Sequence, residues 1–390
     1  MDDPRNVTGG KSLGSCITLS YAIYHSLNIR CHVQMLEVRL GFQEKEKHER
    51  GTGAAETKVI TDRSIHVLMT SGGGPYQNFQ TRIMYSTFQK VQGQPGGENL
   101  VAFTRILHRT KPDRLMEEVP TFHTTPLQPK CDNWCDFPPA SRPDAVNQFF
   151  QAAKANSSLL QAPWVFMTEC DYVWIKPLQA PPASDVDKLS MSFPFGYIAP
   201  TYPTVQSTMR IWYPTSKGPL SDIPGTGPAP ALMRRDEWER VLPDWVRITA
   251  EIEENEQAKE KLGWVREMYA FALACALKGV KLQLDLPPKS TLMVQPPADH
   301  RMGEAPIMHY TWGSIISNSS GEEVWRFDKR EYGEEWHELN PPRLPEPPPY
   351  EPEAGWRLQD KVAVTEDLRN TLFLMIHTMN EAIDKLKPLA

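Results

Sequence analysis

The 390-residue sequence has no apolar run of the roughly 18 to 20 residues that a membrane-spanning helix needs. Its nearest approach, "CITLSYAIYHSLNI" (16–29), is too short and too polar, and it lacks a signal-peptide pattern. The expectation is a soluble protein, or one whose N-terminal anchor is missing or not recognisable in this chain. Positive charge is also not in excess. A net charge of −6 and a pI near 6.0 give no electrostatic reason to expect nucleic acid. An anionic substrate would need local help from arginines or a metal ion. Cysteine is scarce, and six in a chain this long do not make a disulfide scaffold. Cys131 and Cys135 in "CDNWC" are close enough to pair, but no second such pair exists, which argues against zinc. A local disulfide and two free thiols both remain open. No internal repeat is present.

The composition that remains is ordinary for a globular protein: 40% hydrophobic and 23% charged, enough for a normal core. Three N-glycosylation sequons, at Asn6, Asn156 and Asn318, weakly favour the secretory route. Residues 1–63 read as a lead-in that ends in a charged, then small, connector, "QEKEKHERGTGAAE" (43–56). From "SIHVLMTSGGGP" (64–75) strands and helices alternate. A β-rich run ends in a Gly-rich turn, and helical spacing follows over 76–91. Strand "LVAFTRILH" (100–108), a short helix over 111–119 and a helix over 144–155 with Pro143 in its first turn come next. Strand "WVFMTECD" (164–171) closes the series. This order predicts an α/β unit with a largely parallel sheet flanked by helices. Residues 235–279 are mostly helical with an interruption near Pro243, and 280–287 is a strand. The principal domain is assigned to 64–338. A Pro-rich extended segment covers 339–363, and an amphipathic helix over 364–390, capped by Thr365, packs back on that domain.

The segment "WVFMTECDYVWIKPL" (164–178) poses the chemical question. Two carboxylates, Glu169 and Asp171, interrupt an otherwise apolar stretch, where an unpartnered charge costs several kcal/mol. Read as a strand, the two point to one side, about 7 Å apart at Cα. Carboxyl ends of parallel strands line ligand crevices. Two convergent oxygens there suit a hard divalent cation, while a pair bonded to backbone amides or arginines is the competing structural reading. His309 in "PIMHYTWGS" offers a third ligand, although a lone histidine is more often structural. Glu267, near the start of an apolar helix, either interacts with the helix dipole or acts as a substrate-orienting or proton-accepting group.

The ordered set "HVLMTS", "TRIMY", "FTRILH", "LMEEVPTF", "FPFGYIAP", "GWVREMYA", "QPP", "HYTWG" and "WRFDKR" resembles the plant-type hydroxyproline O-arabinosyltransferases over about residues 65 to 331. "MNEA" extends the likeness into the last helix. The resemblance implies a GT-A-type nucleotide-diphospho-sugar transferase fold with an acidic metal motif. Where the family reads Glu-Pro-Asp-His, this chain has Glu169-Cys170-Asp171-Tyr172; after His309-Tyr310-Thr311-Trp312-Gly313 it lacks the family's Cys and Asp. Residues 130–140 look like an insertion able to reshape acceptor binding.

The implied reaction is retaining transfer of L-arabinofuranose from UDP-β-L-arabinofuranose to hydroxyproline in secreted or cell-wall proteins or peptides. Mn2+ (or Mg2+) would be held by Asp171, His309 and Glu169. Thr70, Ser71, Arg105 and Arg142 are expected near the nucleotide or sugar. Glu267 and Asp222 are expected near the reacting groups, and Gly72–Gly74 forms either a nucleotide approach or a plain turn. The family implies a cis-Golgi lumen enzyme, a type II membrane protein whose anchor is not evident here. Another UDP-sugar such as galactose, a serine acceptor, or a non-catalytic glycan- or peptide-binding relative remain alternatives. A glycoside hydrolase is disfavoured because its acids flank the sugar rather than share one strand.

Overall fold

The computed structural model describes residues 59–185 and 189–389. All but the last five residues of the expected lead-in lie outside them, as do the sequon at Asn6 and the run 16–29. In chain order the strands are β1 (Ile65–Ser71), β2 (Leu100–His108), β3 (Thr121–Thr124), β4 (Trp164–Thr168), β5 (Tyr172–Trp174), β6 (Ser190–Ser192) and β7 (Ala231–Arg234). They continue with β8 (Leu282–Leu284), β9 (Met293–Val294), β10 (Ile307–His309), β11 (Gly313–Ser317), β12 (Glu323–Asp328) and β13 (Arg357–Leu358). The α-helices are α1 (Pro75–Gln92), α2 (Arg142–Ala155), α3 (Gln206–Trp212), α4 (Arg235–Glu253), α5 (Glu256–Leu262), α6 (Arg266–Leu277), α7 (Glu335–Leu339) and α8 (Glu366–Ile383).

β1 is buried along its whole length, as a central parallel strand covered on both faces must be. It pairs in parallel with β2 and β4, and β3 joins β2 in parallel. The full seven-stranded order is β3-β2-β1-β4-β7-β6-β8. Only β7 runs antiparallel to its neighbours β4 and β6. The expected α/β layout, a mainly parallel sheet flanked by helices, is what forms. Two smaller sheets, β5-β10-β9 and β12-β11-β13, complete the body.

Three expectations are corrected. First, β4 ends at Thr168, where its ladder with β1 stops at Met69. Glu169 and Asp171 therefore lie on the passage between β4 and β5 and do not alternate along one strand. Second, α4 runs unbroken through Pro243. An interior proline costs about 3 kcal/mol, but Trp238, Val241, Leu242 and Trp245 are all buried on that helix. Each such side chain contributes roughly 1.5–3 kcal/mol on burial, so packing outweighs the missing hydrogen bond. The break falls at Asn255, whose side chain caps α5 by accepting from Ala258 N. Third, the helix over 111–119 is a single 3-10 turn, Arg114–Glu117, and the strand over 280–287 shrinks to β8.

Thr365 caps α8 by accepting from Leu368 N at 3.2 Å. The helix buries Leu368, Leu372, Met375, Met379 and Ile383 in a second core with Ile316, Trp325 and Phe327 of the small β11–β12 sheet. The Pro-rich segment lies over this core, with Pro345 O accepting from Trp325 Nε1 and Pro348 O from Arg369 Nε. Leu372→Ala is expected to cost about 2–5 kcal/mol in urea unfolding. Leu374→Ala, on the exposed side of the same helix, should stay within ~0.5 kcal/mol of wild type.

Candidate functional site

Backbone pairing, not sequence proximity, assembles the site. β5 and β10 are antiparallel with His309 opposite Tyr172, and Tyr310 N donates to Asp171 O at 3.3 Å. That register sets His309 Nε2 3.1 Å from Asp171 Oδ2 across 138 residues of chain. The β11–β12 hairpin then returns the chain to the same place. Lys329 N donates to Trp312 O at 3.1 Å, and Lys329 Nζ reaches Asp171 Oδ2 at 2.5 Å. Gly313 is required where the hairpin starts, because a Cβ there would lie 2.0 Å from Phe327 O. One donor atom from each of Glu169, Asp171 and His309 lies within 4.8 Å of the others.

Asp171 and Lys329 are both buried. Burial disfavours the Asp171 carboxylate, but the charges and hydrogen bonds of His309 and Lys329 outweigh it and hold this acid well below its usual range. Burial likewise disfavours the Lys329 ammonium, yet Asp171 raises its pKa above the ordinary lysine value, so the cation persists. Gln295 Nε2 lies 3.0 Å from His309 Nδ1 and 3.2 Å from Thr311 Oγ1. A Gln295 amide turned the other way accepts from Nδ1–H and leaves Nε2 a lone pair for a metal. Two carboxylates and an imidazole are donors of the kind Mn2+ or Mg2+ takes, so the residues present fit a divalent cation.

A second charge chain adjoins the first. Arg142, the first residue of α2, donates to Glu169 and also to Glu267 Oε2 at 3.3 Å. Glu267 sits in the first turn of α6 and is only 2% exposed. Among the described residues neither its Oε1 nor the Tyr172 hydroxyl, both buried, has a hydrogen-bond partner. Burial raises the Glu267 pKa to about 7, Arg142 opposes the rise, and Glu169 adds to it. The Tyr172 ring packs 4.9 Å from the His309 ring. Tyr197, in "FPFGYIAP", has a half-exposed ring, and burial together with the Glu169 and Asp171 charges raises its phenol pKa.

The structure thus brings Glu169, Asp171, His309, Arg142 and Glu267 together. Arg142 faces two carboxylates of the site, Glu169 and Glu267. Arg105 is corrected: it is fully buried and is held by Asp113, Asn78 Oδ1 and Thr121 Oγ1. That network ties β2 to its neighbours, and none of these partners belongs to the cluster. Asp222 is exposed in a 3-10 turn and accepts from the Tyr213 hydroxyl at 3.3 Å, a partner outside the cluster. Thr70 and Ser71 end β1. Ser71 Oγ donates to Gln77 Oε1 at 3.1 Å and accepts from Gly73 N at 3.0 Å. Gly73 and Gly74 have φ of 72° and 82°, so their backbone alone calls for glycine. Lys329 escaped the sequence reading because a lysine in "WRFDKR" carries no local mark of burial against an acid 158 residues away. Cys131 and Cys135 are joined in a disulfide. Among the described residues no helix is long and apolar enough to cross a membrane.

The sequence profile of the hydroxyproline O-arabinosyltransferase family N-terminal domain matches residues 65–284. Hydroxyproline O-arabinosyltransferase 1 of Arabidopsis thaliana is 34% identical over 309 residues, covering 77% of this chain and 78% of that protein. Hydroxyproline O-arabinosyltransferase PLENTY of Lotus japonicus is 35% identical over 306 residues, or 76% and 78% of the two chains. Among solved structures, galactosyltransferase LgtC in complex with donor and acceptor sugar analogs aligns at 8% identity with a TM-score of 0.33, over 63% of this chain and 87% of that one. Mouse xyloside xylosyltransferase 1 aligns at 8% identity and a TM-score of 0.31, over 65% and 98%. Likeness at that structural level carries no functional argument.

Glu267 binds its proton more tightly folded than unfolded. Its contribution to stability is therefore fully present below the unfolded value near 4.5 and is lost as pH rises through about 7. Glu267→Gln, which has no such proton to lose, should raise the melting temperature relative to wild type at pH 8. The gain is on the order of 3 kcal/mol at most, and the difference should vanish near pH 4.5. Parallel melting curves across that range check it.

Proposed function

The chain belongs to the hydroxyproline O-arabinosyltransferase family, and from that membership we propose that it moves L-arabinofuranose from UDP-β-L-arabinofuranose to the hydroxyl of hydroxyproline. The acceptors are secreted or cell-wall proteins and peptides, and the anomeric configuration is retained. The observation that carries this reading is the convergence of Glu169, Asp171 and His309 at the carboxyl end of β4, beside the parallel sheet. These three side chains would hold a divalent cation, Mn2+ or Mg2+, which when bound would supply Lewis-acid neutralisation of the diphosphate leaving group. Lys329 adds a permanent positive charge at the same place, anchored by Asp171.

Retention by front-side attack needs no nucleophile from the protein. The hydroxyproline oxygen attacks the anomeric carbon on the face from which UDP departs; the bond from that carbon to the β-phosphate oxygen breaks, and the departing phosphate oxygen takes the hydroxyl proton. Glu267 then serves as an orienting group. Its unpaired Oε1 accepts a hydroxyl hydrogen from donor sugar or acceptor, while Arg142 fixes its other oxygen. Thr70 and Ser71, at the end of β1, border the nucleotide. The Cys131–Cys135 disulfide suits an oxidising lumen. Asn156 is exposed, as a glycan acceptor must be. Both favour the secretory route, and we place the enzyme in the cis-Golgi lumen.

UDP release is expected with a hydroxyproline peptide, UDP-arabinofuranose and Mn2+, and not with the corresponding proline peptide. Asp171→Asn should lower kcat by about 10²-fold or more. Equal release with both peptides, or full activity of Asp171→Asn, would sink the proposal. Faster turnover with UDP-galactose or a serine peptide would replace donor or acceptor.

A further inference from the structure

The loop over residues 128–141 has no part in the chemistry above, yet it touches three of its supports. Arg109 donates from one nitrogen to Asp132 O at 3.2 Å and from another to Gly72 O at 3.3 Å, linking the loop to the turn after β1. Thr110 N donates to the Asp132 carboxylate. At its far end the loop runs through the 3-10 turn Pro138–Ser141 directly into Arg142. Between these ends, Phe137 is buried. The Arg266 guanidinium lies 3.5 Å from its ring centroid, and Trp264 packs edge-on to it at 5.3 Å. Arg266 is the neighbour of Glu267, so this loop leans on the start of the helix that carries the proposed orienting acid.

Side chains in the loop alternate. Cys135 and Phe137 are buried, while Trp134 and Asp136 are exposed. The Cys131–Cys135 disulfide closes a five-residue ring around Trp134 and limits the backbone that presents it. Trp134 is 72% exposed and Trp264 63% exposed. Two indoles this exposed present flat apolar faces with a polar N–H edge, on which a ligand can stack. Three residues of chain, from Trp134 to Phe137, reach at most about 11 Å. Phe137 in turn carries Trp264 on its ring, so the two indoles lie within about three turns of a polyproline II helix, ~9 Å each, of one another. Hydroxyproline-rich chains favour that extended helix, and exposed aromatic surfaces are what it docks on, with little ordering entropy to overcome.

We propose that the disulfide-braced loop, through Trp134 and with Trp264 from the start of α6, forms an aromatic rail that holds the acceptor chain in polyproline II form beside Glu267. This inference rests on the acceptor class proposed above. Its contribution is extended recognition: residues flanking the modified hydroxyproline are held on the rail, so length and conformation of the acceptor matter.

The test measures binding of a fluorescently labelled oligo-hydroxyproline peptide to the intact chain by anisotropy, with UDP affinity in Mn2+ measured in parallel. Trp134→Ala and Trp264→Ala should each weaken peptide binding about tenfold or more and leave UDP affinity at the wild-type level. Trp134→Phe should recover much of the loss. A Cys131→Ser/Cys135→Ser double variant, which frees the ring, should weaken peptide binding in the same direction. Unchanged peptide affinity in both tryptophan variants overturns the rail. So does a parallel loss of UDP affinity, since the tryptophans would then support the whole site. So does equal wild-type binding of a Gly/Ser peptide of the same length. Transfer by the wild-type protein is scored separately: peptide that binds through the tryptophans but is not arabinosylated removes the proposed reaction and leaves the rail standing.

Discussion

A negative charge inside a protein has to be matched, and Asp171 is where this molecule meets that constraint. The Lys329 ammonium at 2.5 Å gives a gross attraction of about 6–7 kcal/mol at an effective dielectric near 20. Desolvation of the two ions takes back several kcal/mol each, so the pair contributes little net stability. Its value is positional. Removing one partner strands the other and costs roughly 3–5 kcal/mol. The β5–β10 pairing and the β11–β12 hairpin are therefore held to the registers that deliver His309 and Lys329. The second hydrophobic core and α8 behind that hairpin support the chemistry at one remove.

Arg142 extends the same logic sideways. One guanidinium faces Glu169, a member of the metal-type cluster, and Glu267, which burial leaves inclined to keep its proton. The Arg fork satisfies both without a free cationic arm. Glu267 is left with one oxygen fixed by Arg142 and the other buried without a hydrogen-bond partner among the described residues, an unmet acceptor of a kind that is uncommon inside proteins. Because Arg142 begins α2 and the disulfide loop runs directly into it, the loop's position and the cluster's geometry are joined by covalent chain as well as by contact.

Much of the fold was legible because its signals are local. The apolar run of β1, the Gly-rich turn and the amphipathic spacing of α1, α2 and α8 are each written within a dozen residues or so. Errors arose where a local rule met a tertiary one. Pro243 should break a helix, but buried tryptophans on both sides of it hold α4 together. Glu169 and Asp171 looked like alternating strand residues, but β4 loses its partner at Thr168 and the chain turns out of the sheet. Arg105 looked available for phosphate, but Asp113 lies against it within the fold.

The α/β class, the family to which the chain belongs, and the acids and histidine able to hold a cation can all be read from the linear order of residues. Those follow from residue type, order and short-range period, which a linear text preserves. It takes the folded chain to show that Asp171 shares its oxygen with Lys329, that Arg142 sits between two carboxylates, and that Cys131 and Cys135 close a ring around an exposed tryptophan. The reason is physical. Charge pairing acts over a few ångströms of space, and these partners, apart from the near-neighbour cysteines, come within that range only after strands from separate parts of the chain have paired.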